Sequence, residues 1–264
     1  MLPTFDLERY LNNSQKVETR DLDFSRVRDY PVTPEEIRCL GYMMDVEAHT
    51  VMYFKSLLRT CAARDPEVLA FMSCWAYEEF FHGRAIRQFL EAAGVRIDVA
   101  RVDHVRRQRS WRERIEETSA AMLCHFVRDF QAVYLAWGAI QELSALEAYR
   151  VLARRTRNPI LRELLQRIVK DERRHFSFYF NKARPHLRSR TAQLATTAIL
   201  RRFWTPVGDG VKGDAEVRWT MQFIFGDNEG MEIARRIDTR ISRLPGMDWF
   251  NLLSRMREAA IAEV

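Results

Sequence analysis

The chain is poor in residues that interrupt helices: 264 residues carry only ten Gly and eight Pro. So little punctuation argues against a fold of many short, turned strands and favours long helices. Its four cysteines, Cys39, Cys61, Cys74 and Cys124, stand far apart and include no Cys-x-x-Cys pair. They sit beside apolar neighbours in helical patterns, which reads as core thiols in a reducing cytoplasm. No apolar stretch approaches the roughly 20 residues that span a bilayer. The opening Met-Leu-Pro-Thr-Phe-Asp, acidic early, is unlike a secretory signal. A cytoplasmic protein without a membrane span is therefore expected. Also missing are a low-complexity segment, a phosphate loop, a dinucleotide fingerprint and a Ser-His-Asp arrangement.

What is present is ordinary in bulk, with 47% hydrophobic and 30% charged residues, a composition that argues against disorder. The formal charge of +6 points weakly to an acidic partner, since a solvated Arg-rich surface explains it as well.

The informative residues are Glu79-Phe80-Phe81-His82 and Glu172-Arg173-Arg174-His175, two Glu-x-x-His strings. A three-residue step on a helix puts carboxylate and imidazole on one face, one turn apart. The flanking patterns place both strings on helices. One helix opens at Pro34, where Thr33 and Glu36 form a capping box, with the apolar line Ile37, Leu40, Met44, Glu47, Val51, Phe54, Leu58. A second opens at Asp65-Pro66 and ends near Gly94, with Val68, Met72, Trp75, Glu79, His82, Ile86 and Phe89 in line. A third covers about 115–156, with Leu135, Gly138, Glu142, Ala145, Tyr149 and Leu152. A fourth opens at Asn158-Pro159 and stops before Pro185, with Leu161, Leu165, Ile168, Glu172, His175 and Tyr179.

Six polar groups, Glu47, Glu79, His82, Glu142, Glu172 and His175, thus fall on four inward lines near mid-helix. One buried Glu or His is usually a satisfied structural group. Six at matching depth are hard to explain that way, because each uncompensated carboxylate would cost several kcal/mol. A pair of metal cations neutralises them together. The spacings agree: Glu47 to Glu79 is 32 residues, Glu142 to Glu172 is 30, and Glu79 to Glu142 is 63. These fit two antiparallel hairpins joined by a long crossover. The predicted fold is all-α, a ferritin-like four-helix bundle with a long crossover between its second and third helices. It spans residues 1–264 as one domain: an arm over 1–33, a core over about 34–185 and a helical extension over 186–264. In the extension, helices are expected over 187–204, 228–243 and 247–263, with a loop at 204–210.

At this level the sequence resembles the soluble acyl-carrier-protein desaturases. Glu78-Glu79-Phe80-Phe81-His82-Gly83 is similar to their Glu-Glu-x-x-His-Gly helix, and Asp171-Glu172-Arg173-Arg174-His175 to their Asp-Glu-Lys-Arg-His helix. Gln141-Glu142 matches a Gln-Glu segment, and Glu47-Ala48 with Tyr53 matches the first ligand helix more loosely. The resemblance covers about residues 37–185. It implies two iron ions, with Glu47 and Glu142 as terminal ligands and Glu79 and Glu172 as bridges. His82 would lie on one iron and His175 on the other, with Asp171 orienting a ligand histidine. It further implies O₂ as co-substrate, a ferredoxin-type electron donor and oxidation of an acyl chain on a carrier protein. The chain departs from the family where a Thr is expected one turn after the third-helix Glu; Ala145 stands there, beside Ser144.

The expected function is a di-iron, O₂-activating desaturase or oxygenase acting on an acyl chain or similar apolar substrate. A ferroxidase-type iron-handling protein and a di-iron tRNA hydroxylase are the alternatives, and manganese is an alternative metal. Arg101, Arg106, Arg107, Arg109, Arg112 and Arg114 in the crossover offer a dock for an acidic carrier. The expected partners are that carrier, the donor and a second copy in a homodimer, rather than nucleic acid or membrane. Glu147 is a second candidate on the third helix, and His125 a weak one.

Overall fold

The computed structural model describes residues 4–98, 130–209 and 211–262. The core is built from α2 (Pro34–Leu57), α3 (Pro66–Ala92), α4 (Phe130–Arg155) and α5 (Pro159–His186). α2 lies along α3 and α4 along α5, so each Glu-x-x-His helix pairs with a helix that carries one central Glu. The chain is all-α among the described residues apart from one isolated bridge between Asp209 and Lys212. No described helix is long and apolar enough to cross a membrane.

The helix starts follow the caps. Thr33 Oγ1 accepts from Glu36 N at 3.1 Å, and Glu36 Oε2 accepts from Thr33 N at 2.7 Å, completing the box. Asp65 accepts from the amides of Glu67 and Val68, and Asn158 from those of Ile160 and Leu161, ahead of Pro66 and Pro159. The expected stop before Pro185 is incorrect. α5 runs through Pro185 to His186, because a proline in the last turn forfeits one hydrogen bond while Leu187 N still donates to Ala183 O. Two expected inward positions on α2 also face out: Val51 and Leu58 are 38% and 46% exposed.

Close packing of the core requires two glycines. A Cβ on Gly83 would stand 3.1 Å from Ala48 N and 3.3 Å from Glu47 Cβ, so its absence lets α3 approach α2 beside the polar cluster. One on Gly138 would meet the Tyr179 ring at 2.4 Å.

Around the core lie α1 (Leu7–Asn13), a 3-10 turn at Phe24–Asp29, and α6 (Arg190–Phe203), α7 (Asp214–Phe225), α8 (Asn228–Ile241) and α9 (Leu252–Ala262). α7 to α9 pack on one another, with α7 also against α2 and α8 against α4. α7 is the element that the sequence did not announce. Gly213 at its N-cap supplies no side-chain bond, and it follows a turn-rich loop. α9 starts later than expected because its cap comes from elsewhere: Asp238 of α8 accepts from Leu253 N, Ser254 N and Ser254 Oγ. The crossover arginines, His125 and Cys124 lie outside the described residues.

Candidate metal centre

The six sequence-predicted groups converge on the bundle axis, none more than 7% exposed. They form two overlapping quartets: Glu47, Glu79, His82 and Glu172, and Glu79, Glu142, Glu172 and His175. Within each, one ligand atom per residue lies within 4.8 Å of the others. Glu79 and Glu172 belong to both, and each straddles the two halves. Glu79 Oε2 is 3.1 Å from His82 Nδ1, while Glu79 Oε1 is 3.0 Å from His175 Nδ1. Glu172 Oε1 is 3.4 Å from His82 Nδ1, and its Oε2 is 3.8 Å from His175 Nδ1. Glu142 Oε2 lies 3.6 Å from the same His175 nitrogen, and Glu47 accepts a short hydrogen bond from Tyr149. Glu147 is not part of the cluster; it pairs with Arg150 at 2.5 Å.

Both histidines turn Nδ1 inward and give Nε2 to an outer carboxylate. His82 Nε2 is 3.1 Å from Asp171 Oδ2, so the acid that the resemblance singled out does meet a cluster histidine. Its counterpart was missed: His175 Nε2 is 2.7 Å from Glu78 Oε2. The signal was in the sequence, since each string is an acid followed by Glu-x-x-His, and each acid serves the histidine of the other helix. Arg174 ties the two acids together, donating to Asp171 at 2.6 Å and to Glu78 at 2.9 Å. Such outer contacts fix the tautomer and the ring plane.

The electrostatics of the bare cluster are those of a cation site. Burial disfavours a charged imidazole at His82 and His175, yet the carboxylates around His82, and Tyr10 with the carboxylates around His175, outweigh it and hold both rings protonated well above the ordinary histidine range. Burial, aided by neighbouring carboxylates, pushes Glu47 and Glu142 well above the ordinary Glu value. Burial opposes the Glu79 charge as well, but its bonds to Glu47 and both histidines drive it below that value. Protons therefore stand where cations would otherwise balance the charge.

The residues also fit a metal by what they leave unsatisfied. Glu172, 1% exposed, has neither oxygen in a hydrogen bond, and His175 Nδ1 stands 3.0, 3.6 and 3.8 Å from oxygens of Glu79, Glu142 and Glu172. A buried carboxylate that accepts no hydrogen bond keeps its lone pairs free for a cation. Four carboxylates and two imidazoles, with two of the acids common to both quartets, suit a pair of iron or manganese ions.

A helical bundle with two Glu-x-x-His helices and a central Glu on each of two others defines a ferritin-like di-iron protein. Residues 39–183 match the Rubrerythrin family, more than half of the chain, and the protein belongs to that family. Comparison with curated proteins returns no match.

Proposed function

We propose that Glu47, Glu79, His82, Glu142, Glu172 and His175 hold two iron ions, manganese being the alternative, and that the protein is an O₂-dependent oxidase of an apolar substrate. The observation that carries the metal assignment is Glu172, buried and central with neither oxygen hydrogen-bonded. Iron bound here would supply redox chemistry, with electrons from a ferredoxin-type donor and O₂ as the oxidant of a substrate C–H bond. Desaturation or oxygenation of an acyl chain, free or delivered on an acidic carrier, is the outcome we favour, supported by the resemblance of the two Glu-x-x-His helices.

The protein's own residues set the conditions for that chemistry. Asp171 and Glu78 hold the imidazoles with Nδ1 inward, and Arg174 locks the two acids in one frame. Tyr149 donates to Glu47 and limits the swing of that carboxylate. Phe71, Trp75, Tyr134 and Tyr179 are buried alongside and exclude water, which strengthens every charge interaction inside. Ser144, next to the departure at Ala145, spends its hydroxyl on Ile140 O at 2.7 Å, so it does not replace the missing threonine.

The test is metal analysis with O₂ uptake. Purified protein should hold close to two ions per chain, and the chemically reduced, loaded protein should consume O₂. Replacement of Glu79 and Glu172 together by Ala should abolish both. Full metal content in that double variant would refute the ligand assignment. A loaded, reduced protein inert to O₂ would refute the oxidase reading alone.

A further inference from the structure

A groove of about 600 Å³ opens between α2 and α3, roofed by residues 16–20 of the N-terminal arm. Its floor is formed by Met44, Ala48 and Gly83, and Gly83 backs directly onto Glu47. Phe80 and Phe81 form an aromatic wall with ring planes at 89°, and Phe80 is 38% exposed, unusual for so large an apolar side chain. Volume and an apolar lining of this kind are typical of small-molecule sites, where a few polar groups fix orientation.

Charge pairing along the walls decides what the groove accepts. Glu18 is taken by Arg20 at 2.7 Å, Glu91 by Arg87 at 2.8 Å and Asp45 by Lys212 at 2.6 Å. Asp98 at the rim is engaged as well. Two cations of the lining remain with no carboxylate among the described residues. Lys16 Nζ sits 6.0 Å from the Phe81 ring centre, and the Arg84 guanidinium sits 5.7 and 5.9 Å from those of Phe80 and Phe81. Contacts of this type hold a cation in place at a surface without neutralising it. The surplus charge and the aromatic wall therefore occupy one spot.

We propose that this groove binds a small organic anion with an apolar, preferably aromatic, body. The anionic group lies between Lys16 and Arg84, and the body lies against Phe80 and Phe81 above Met44 and Ala48. Neither metal nor O₂ enters the inference, so it stands or falls apart from the oxidase reading.

Two fluorescent probes with the same aromatic body separate the contributions. 1-Anilinonaphthalene-8-sulfonate carries the anion, and N-phenyl-1-naphthylamine lacks it. With the full-length protein, the sulfonate should saturate at one per chain and bind about tenfold more tightly than the neutral amine. The double variant K16Q/R84Q should raise the Kd of the sulfonate about tenfold and leave that of the amine unchanged. Because both cations are exposed and, among the described residues, pair with rings and no carboxylate, the fold should survive, which circular dichroism checks. Phe81→Ala should weaken both probes. Equal affinity for the two probes, or sulfonate binding within twofold of wild type in K16Q/R84Q, would overturn the proposal.

Discussion

The two halves of the cluster carry the same string of residues and are held differently. Around His82, the outer acid is Asp171, 14% exposed at its side chain and tied to Arg174. Around His175, the outer acid is Glu78, fully buried and crowded with donors: Tyr10 Oη at 2.8 Å, Ser14 Oγ at 2.9 Å, Gln15 N at 3.3 Å and Arg174. Burial opposes the Glu78 charge, yet His175, Arg174 and Tyr10 outweigh it and hold the carboxyl below its usual range. The N-terminal arm thus buttresses one half only. The other half has a buttress of its own at the opposite end, where Tyr149 donates to Glu47. A repeated sequence motif does not imply repeated environments. What surrounds each copy is decided by which distant segment packs there.

This asymmetry breaks most sharply at the outer acids. Glu78→Gln should weaken metal binding in the His175 half by about 10–100-fold, the usual cost of losing such a partner. Asp171→Asn should cost less, because Asp171 is partly exposed while Glu78 is fully buried. Titration of the metal-free protein with Co²⁺, followed by visible absorption, would show the two steps. Equal losses in the two variants would mean that the arm contributes nothing to the difference.

A pH series sharpens the contrast between the empty and the loaded cluster. His82, His175, Glu47 and Glu142 all have raised values, so the empty protein binds more protons folded than unfolded. Their stabilising contribution is complete below the ordinary Glu and His values of 4.5 and 6.5 and is lost as pH rises through the raised ones. Glu79, shifted down, acts in the opposite sense, but its contribution is complete above the ordinary value of 4.5 and is lost only as pH falls below it. The Tm of metal-free protein should fall between about pH 5 and pH 8, while protection by metal grows, since ligands must lose protons to bind it. Thermal scans with and without metal should converge at low pH. A metal-free Tm that rises over this range would contradict the charge assignment.

Smaller effects test the two buttresses. Tyr149→Phe removes the one hydroxyl donor that Glu47 has among the described residues and should weaken metal in the His82 half by about tenfold, near 1.4 kcal/mol, within the roughly 0.5–1.5 kcal/mol of an ordinary hydrogen bond. Tyr10→Phe leaves Glu78 with its other donors, so the loss should be about 0.5–1.5 kcal/mol in stability by chemical denaturation. If Tyr10→Phe proves more damaging to metal affinity than Tyr149→Phe, the arm outranks the inner tyrosine and the ordering drawn here is wrong.

Much of the core was legible in the sequence because its signals are local. Thr33, Asp65 and Asn158 each cap a helix through amides two or three residues away, and each precedes a proline suited to the first turn. Glu-x-x-His is read within one turn, and the apolar lines around it face inward for the same periodic reason. Where the signal was not local, the reading failed or was silent. α7 has no side-chain cap, and the start of α9 depends on Asp238 from another helix. Val51 and Leu58 follow the inward period and nonetheless face out, because periodicity names a face and cannot say how far along it the neighbouring helix extends.

The sequence by itself determined the four core helices, their order and six candidate ligands, since each is written in spacings of three, four or about thirty residues. Only the tertiary structure decided that Glu78 serves His175, that Arg174 joins both outer acids and that Tyr149 meets Glu47. Most of these contacts cross between helices, over 89 residues from His82 to Asp171 and 102 from Tyr149 to Glu47. No local periodicity constrains such pairs. They exist because side chains on separate helices come to the same depth only once the bundle has packed and the buried polar groups have taken the partners within reach.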